Sequence, residues 1–106
     1  MSQVAPPTIP SDLDGLLGRL RELLPELRER YHITSLAVFG SRTRDDATPE
    51  SDLDLLVTFG PKASLFELIG MEQDLGDLFG VKVDVVTPSS IKPRLKERVL
   101  GSAVPV

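Results

Sequence analysis

Two aspartates, Asp52 and Asp54, stand one residue apart at the head of an apolar run, Asp52 to Phe59 (DLDLLVTF). In an extended chain alternate side chains share a face, so Asp52, Asp54 and Leu56 point one way while Leu53, Leu55 and Val57 point the other. Like charges that close raise each other's pKa, and a divalent cation removes the conflict. Two such carboxylates, with a third from a neighbouring strand, can hold two metal ions ~3.5–4 Å apart for an in-line displacement at phosphorus. Asp84 is the one acidic residue inside the other apolar segment of this kind, VKVDVVT (81–87), and is the natural third ligand. Upstream, Gly40 and Ser41 turn the chain at the end of a further apolar run, ITSLAVF (33–39). A short helical turn starting near Ser41 would aim backbone N–H groups and the serine hydroxyl at an anion. Arg42 and Arg44 lie in the same loop, as further cations for phosphates or as exposed loop arginines. Each part has an ordinary alternative. A D-x-D pair can cap a strand edge in solvent, Asp84 can pair with Lys82, and Gly-Ser is common turn chemistry. The conjunction of all of them carries the reading of a phosphate-binding turn beside a metal-binding carboxylate set.

The elements that must hold these residues are legible in order. Residues 1–10 carry three prolines and read as a flexible N-terminal tail, leaving 11–106 as one domain. Ser11 can cap a helix, with Asp14 three residues on. Leu13, Leu16, Leu17, Leu20, Leu23, Leu24, Leu27 and Tyr31 then recur at three- and four-residue steps. Pro25 sits inside that stripe and is expected to kink or split the helix. Strands follow over 33–39 and 52–59, the second ended by Gly60-Pro61. Ser64 and Glu67 form a capping box for a helix that carries Leu65, Leu68, Ile69, Glu72, Leu75, Leu78 and Phe79 on one helical spacing and stops at Gly80. A third strand covers 81–87. Residues 89–100 read as one or two short basic helices interrupted at Pro93, and the apolar end 101–106 packs on the domain or on a partner. Strands alternating with helices make a compact α/β unit, one sheet covered by helices.

Composition narrows the partners. The chain has 106 residues, a net charge of −4, 41% hydrophobic residues and no cysteine. Disulfides and thiolate metal sites are excluded, so any metal sits on oxygen ligands, which favours magnesium or manganese over zinc. The missing cysteines and the absence of a secretory signal or a membrane-length apolar run point to a cytoplasmic chain. A net negative charge and few aromatics argue against nucleic acid as the direct ligand. His32, the one histidine, reads as a structural residue at a helix–strand junction.

The segment GSRTRDDATPESDLDLLV resembles the signature of the minimal nucleotidyltransferases, a branch of the superfamily that contains DNA polymerase beta. There the pattern is Gly-Ser, a spacer, Asp-x-Asp, and a third carboxylate on a later strand. The similarity continues through LFELIGMEQDLGDLFGVKVDVVTPSSIKPRLKERVL, so that it covers roughly Leu36 to Leu100. The resemblance implies a single α/β nucleotidyltransferase-like domain with a small mixed sheet flanked by helices. It implies that Gly40 and Ser41, with Arg42 beside them, grip a nucleoside triphosphate. Asp52 and Asp54 would be the catalytic metal-binding pair, and Asp84 the third carboxylate that helps deprotonate the acceptor hydroxyl. The cofactor would be Mg²⁺, as two ions, and the substrate ATP. Members of this branch are typically encoded beside a HEPN-domain protein as the antitoxin of a toxin–antitoxin pair. Several transfer AMP from ATP to a tyrosine of that toxin, which is the activity the resemblance implies here. An antitoxin that neutralises its partner mainly by forming a stable complex is the alternative. Transfer to a small molecule or a nucleic-acid end is a third reading, weakened by the small size and the negative charge. Size agrees with a protein acceptor, because nucleotidyl transfer needs little beyond positioning and charge neutralisation, and 106 residues leave almost nothing for an acceptor-binding domain. One departure is visible: Asp45 stands in the spacer where members often have glycine.

Overall fold

The leucine stripe folds as one helix, α1 (Leu13–Tyr31), and it does so through Pro25. The structure is a computed structural model that describes residues 8–44 and 47–106. Pro25 neither splits the helix nor ends it. Its missing N–H falls on the exposed face, where water can satisfy the freed carbonyl, while buried Leu20 and Leu27 hold the helix to the core on either side. The N-cap is Asp12 rather than Ser11: its backbone is extended, and its carboxylate accepts the Gly15 N–H at 3.1 Å. At the other end His32 closes the helix in the left-handed conformation (φ 58°), donating its N–H to the Arg28 carbonyl.

Strand β1 (Ile33–Phe39) follows, then a single 3₁₀ turn (Gly40–Thr43) and strand β2 (Leu53–Phe59). Helix α2 (Leu65–Phe79) starts at the Ser64–Glu67 capping box and stops at Gly80. Strand β3 (Val83–Val86) is shorter than the apolar segment around it. A second 3₁₀ turn (Pro88–Ser90) leads to helix α3 (Pro93–Ser102). Pro93 opens this helix instead of interrupting one, as suits a residue with no N–H to leave unpaired in a first turn. Strand β4 (Val104–Pro105) was not expected. It pairs antiparallel with β1, and the Val106 N–H reaches the Leu36 carbonyl at 3.0 Å. The C-terminal residues therefore pack on the domain itself.

The sheet order is β3-β2-β1-β4, with β1 antiparallel to β2 and β4, and β2 parallel to β3. The mixed sheet anticipated from the sequence is what forms. Leu36, Val38, Leu53, Leu55, Val57, Val83 and Val85 are buried on one face against Leu16, Leu17, Leu20 and Leu27 of α1 and Met71, Leu75 and Phe79 of α2. Burying each such side chain stabilises the fold by about 1.5–3 kcal/mol. Strand alternation puts Asp54 and Asp84 on the opposite face, away from this core. Residues 1–7 of the expected tail lie outside the described residues. Thr8 and Ile9 are anchored. The Thr8 N–H meets the Phe79 carbonyl at 3.0 Å, its hydroxyl meets the Leu78 carbonyl, and Ile9 is buried. These bonds satisfy carbonyls that the end of α2 leaves without helical partners.

Candidate functional site

The site is built by register. Phe39, the last residue of β1, lies opposite Asp54 of β2, and Asp54 lies opposite Asp84 of β3. Gly40 follows Phe39 directly. Gly40, Asp54 and Asp84 therefore form a row across three neighbouring strands, at the end of the sheet where β1 finishes and β2 begins. Side chains directly opposite on paired strands stand roughly 5 Å apart at their Cβ atoms. Asp52 precedes β2 by one residue and is exposed.

Asp54 is the electrostatic centre of this row. Burial raises its pKa, and the negative charges of Asp84 and Asp52 raise it further, while Lys82 and Arg44 oppose the rise. Lys82 stands with its ammonium 3.8 Å from Asp84 Oδ1, an exposed pair of small energetic worth. The same residue's carbonyl accepts the Leu53 N–H at 2.9 Å and fixes the start of β2.

The turn beside these carboxylates is closed by its own bonds. The Thr43 hydroxyl donates to the Gly40 carbonyl at 2.6 Å, and the Arg44 N–H donates to the Ser41 carbonyl at 3.0 Å. Gly40 sits at φ +78°, a conformation side chains rarely adopt, and Asp54 fills the space a Cβ there would need. The glycine is thus demanded twice, by its backbone and by the carboxylate beside it.

Arg42 departs from the expectation of a phosphate ligand. It is buried, and its Nη2 donates to the carbonyls of Pro49 (3.0 Å) and Ser51 (2.7 Å). The guanidinium is engaged with the loop that leads to Asp52. Nothing in the sequence separates it from an exposed loop arginine. Arg44 is exposed and contributes to the field at Asp54. Asp45, the departure in the spacer, lies outside the described residues. Glu72 is a residue whose place in the site's support the sequence reading missed. Its carboxylate accepts the Val85 N–H at 2.8 Å from α2, pinning the edge strand next to Asp84. The available signal was a carboxylate standing within the apolar stripe of α2.

A donor set made only of carboxylates suits a hard divalent cation such as Mg²⁺, and the crowding that raises Asp54 is what such a cation would relieve. Among the described residues no three acidic or histidine side chains are assembled as a ready metal cage. An open set of one or two carboxylates, completed by substrate phosphates, is the way Mg²⁺ is usually bound. The residues present fit the group in that mode.

The family model for the nucleotidyltransferase domain matches residues 20–106, most of the chain and all of the row described above. The chain belongs to the nucleotidyltransferase domain family. Among its relatives, protein adenylyltransferase MntA of Thermococcus cleftensis is 42% identical over 79 residues, covering 74% of this chain and 80% of that protein. A solved structure described as a "putative minimal nucleotidyltransferase" superposes with a TM-score of 0.74 at 40% identity, over 90% of this chain and 96% of the other. A complex of the tri-AMPylated Shewanella oneidensis HEPN toxin with MNT antitoxin contains a chain that superposes with a TM-score of 0.60 over 84% of this chain and 66% of the other. At 18% identity that likeness concerns the fold alone. As a nucleotidyltransferase the chain has its reaction class, the transfer of a nucleotidyl group. Its fold is the small single-domain α/β architecture of the minimal members. No helix among its described residues is long and apolar enough to cross a membrane.

Proposed function

We propose that the chain is a Mg²⁺-dependent protein adenylyltransferase that moves AMP from ATP to a tyrosine hydroxyl of a partner HEPN toxin, and so acts as its antitoxin. The observation that carries the reading is the row Gly40–Asp54–Asp84 on the sheet face opposite the helical core, in a family whose reaction is nucleotidyl transfer. The names of MntA relatives and the AMPylated toxin complex support the choice of a protein acceptor.

In this reading Gly40 and Ser41 hold the triphosphate, the glycine allowing the backbone to approach the phosphates closely. Asp52 and Asp54, with Asp84 as the third carboxylate, would hold Mg²⁺, which when bound neutralises charge on the phosphates and orients them. Asp84 accepts the proton of the acceptor hydroxyl. The hydroxyl oxygen forms its bond to the α-phosphorus, the bond from that phosphorus to the bridging oxygen breaks, and pyrophosphate leaves. The positive charges of Lys82 and Arg44 oppose the rise that burial, Asp84 and Asp52 impose on Asp54. Asp52 is exposed and Asp54 and Asp84 are half-buried, so an acceptor that another protein presents can reach the row.

The test uses labelled ATP, Mg²⁺ and the product of the neighbouring gene. Wild-type protein labels the partner, and the Asp52→Asn and Asp54→Asn variants do not. Absence of label with wild type, or undiminished label with both variants, would overturn the reading. Neutralisation by complex formation alone is favoured by a specific feature, the exposed apolar side chains of Leu65, Phe66 and Ile69 on α2. In that case Asp52→Asn and Asp54→Asn protect cells as well as wild type does.

A further inference from the structure

Arg42 is the one buried charged residue among those described, and it is not among the charges that act on Asp54. Its Nη2 bonds two carbonyls of the incoming loop, while its Nε is buried with no partner among the described residues. A guanidinium withdrawn from water is costly unless its N–H groups find partners, and here the partners are loop carbonyls. The bonds on either side of Asp52 show what this engagement fixes. The Ser51 carbonyl, part of the peptide that carries the Asp52 N–H, is held by Arg42 at 2.7 Å. The next peptide is held by the residue just before β3, through the Leu53 N–H and the Lys82 carbonyl at 2.9 Å. The Thr48–Ser51 turn closes the remaining side, with Ser51 N–H donating to the Thr48 carbonyl at 3.0 Å. Asp52 is itself exposed and lies outside the ladder, so among the described residues its carboxylate is placed by these backbone anchors. The anchor on its N-terminal side begins in the Gly40–Thr43 turn.

We infer that Arg42 is a positioning residue: it ties the Gly40–Ser41 turn to the Ser51–Asp52 peptide, so that the phosphate-holding turn and the cation-holding carboxylates keep one fixed spacing. It acts through the loop backbone and touches neither nucleotide nor cation. The inference rests on the assignment of Asp52 and Asp54 as cation ligands made above. Residues that orient ligands in this way typically change metal affinity 10–100-fold when lost. A lysine at this position keeps the charge and can supply one of the two carbonyl bonds. A methionine fills the space without either.

The experiment is calorimetric titration of wild type, Arg42→Lys and Arg42→Met, each checked for folding by circular dichroism. Each is titrated with Mn²⁺ alone, with AMP-PNP alone, and with AMP-PNP in the presence of Mg²⁺. Arg42→Met is expected to weaken Mn²⁺ binding about tenfold or more and to leave cation-free AMP-PNP binding within about twofold. Arg42→Lys is expected to recover most of the loss. A fall in cation-free AMP-PNP binding would make Arg42 a phosphate ligand and overturn the inference. A lower melting temperature with all three affinities unchanged would make it merely structural and overturn it equally. If Arg42→Met does not fold, Arg42→Gln takes its place, a variant that removes the charge and shortens the reach to the loop carbonyls: a loss of Mn²⁺ affinity with cation-free AMP-PNP binding kept supports the inference, and unchanged Mn²⁺ affinity refutes it. A wild-type protein that binds neither Mn²⁺ nor nucleotide would instead remove the proposed function, and this inference with it.

Discussion

The carboxylate of Asp54 occupies the space beside Gly40 in which any other residue would place its Cβ. A Cβ built there would lie 3.1 Å from Asp54 Cγ and 3.2 Å from Asp54 Cβ, with Oδ2 nearer still, and the glycine backbone is at φ +78°. Gly40→Ala must therefore displace Asp54 as well as strain the turn. The substitution is expected to destabilise the fold by about 1–3 kcal/mol from the backbone alone. It should also lower the transfer rate roughly a hundredfold, because a displacement near 1 Å at a reacting centre has that effect. Denaturant unfolding of Gly40→Ala, Asp54→Ala and the double variant separates the two contributions. The double variant should recover the part due to the carboxylate and keep the backbone part, giving a coupling between the two sites.

Asp54 should also trade stability for function. Burial first, then the charges of Asp84 and Asp52, raise its pKa in the cation-free protein. A carboxyl with a raised folded pKa holds its proton more tightly in the native than in the unfolded state. Its contribution to stability is present below the unfolded aspartate pKa and is lost as pH rises through the folded value. Wild type without cation is thus expected to lose stability from the ordinary aspartate range upward across the raised pKa of Asp54, and Asp54→Asn should flatten that part of the profile. At neutral pH the variant should melt a few degrees higher than wild type and be inactive in transfer. Added Mg²⁺ should raise the melting temperature of wild type only. Thermal melts against pH, with and without Mg²⁺, check each part.

Why the row could be read from sequence, and its support could not, follows from the range of the signals. The period-2 alternation of DLDLLVTF reports local geometry, so Asp54 and the buried Leu53, Leu55 and Val57 fall on the faces anticipated. The capping box at Ser64 and Glu67 is equally local. Pro25 misled because a local rule about its ring was overridden by the tertiary burial of Leu20 and Leu27 on either side. Strand β4 carried too short a pattern to register, and it exists because β1 offers it an edge. Arg42 was the largest gap. Its burial is decided by carbonyls seven and nine residues away in an irregular loop, and no periodicity encodes such contacts.

Glu72 presents a prediction of the same long-range kind. Its carboxylate accepts the Val85 N–H at 2.8 Å on the edge strand that carries Asp84. Glu72→Ala leaves that N–H without its acceptor and is expected to destabilise the protein by about 1–3 kcal/mol. Glu72→Gln, which keeps an acceptor oxygen, should be affected less. Amide hydrogen exchange at Val85 should accelerate in Glu72→Ala, ahead of the amides of β1 and β2, because the edge strand is the one released. Unchanged exchange there would mean that pairing with β2 alone holds β3.

Tyr31 offers the cleanest titration in the molecule, since it is the single tyrosine and the chain has no tryptophan. Its hydroxyl donates to Asp74 Oδ2, which also meets Arg30 at 3.3 Å, and the Arg30 guanidinium lies 5.4 Å from the ring centroid. Burial, then the hydrogen bond and the charge of Asp74, push the phenol up to about 12 from the ordinary 10, against the opposing charge of Arg30. The tyrosinate absorbance should therefore appear late, with its midpoint near the raised value. A raised folded pKa means that the α1–α2 contact made by this phenol is fully present below pH 10 and is lost as pH rises toward 12. Asp74→Asn should bring the midpoint part of the way back, because burial, the largest cause, remains. Arg30→Met should move it further up. A midpoint at the ordinary tyrosine value in wild type would show that the phenol is not held between the two helices, and that α2 is secured to α1 by its leucines alone.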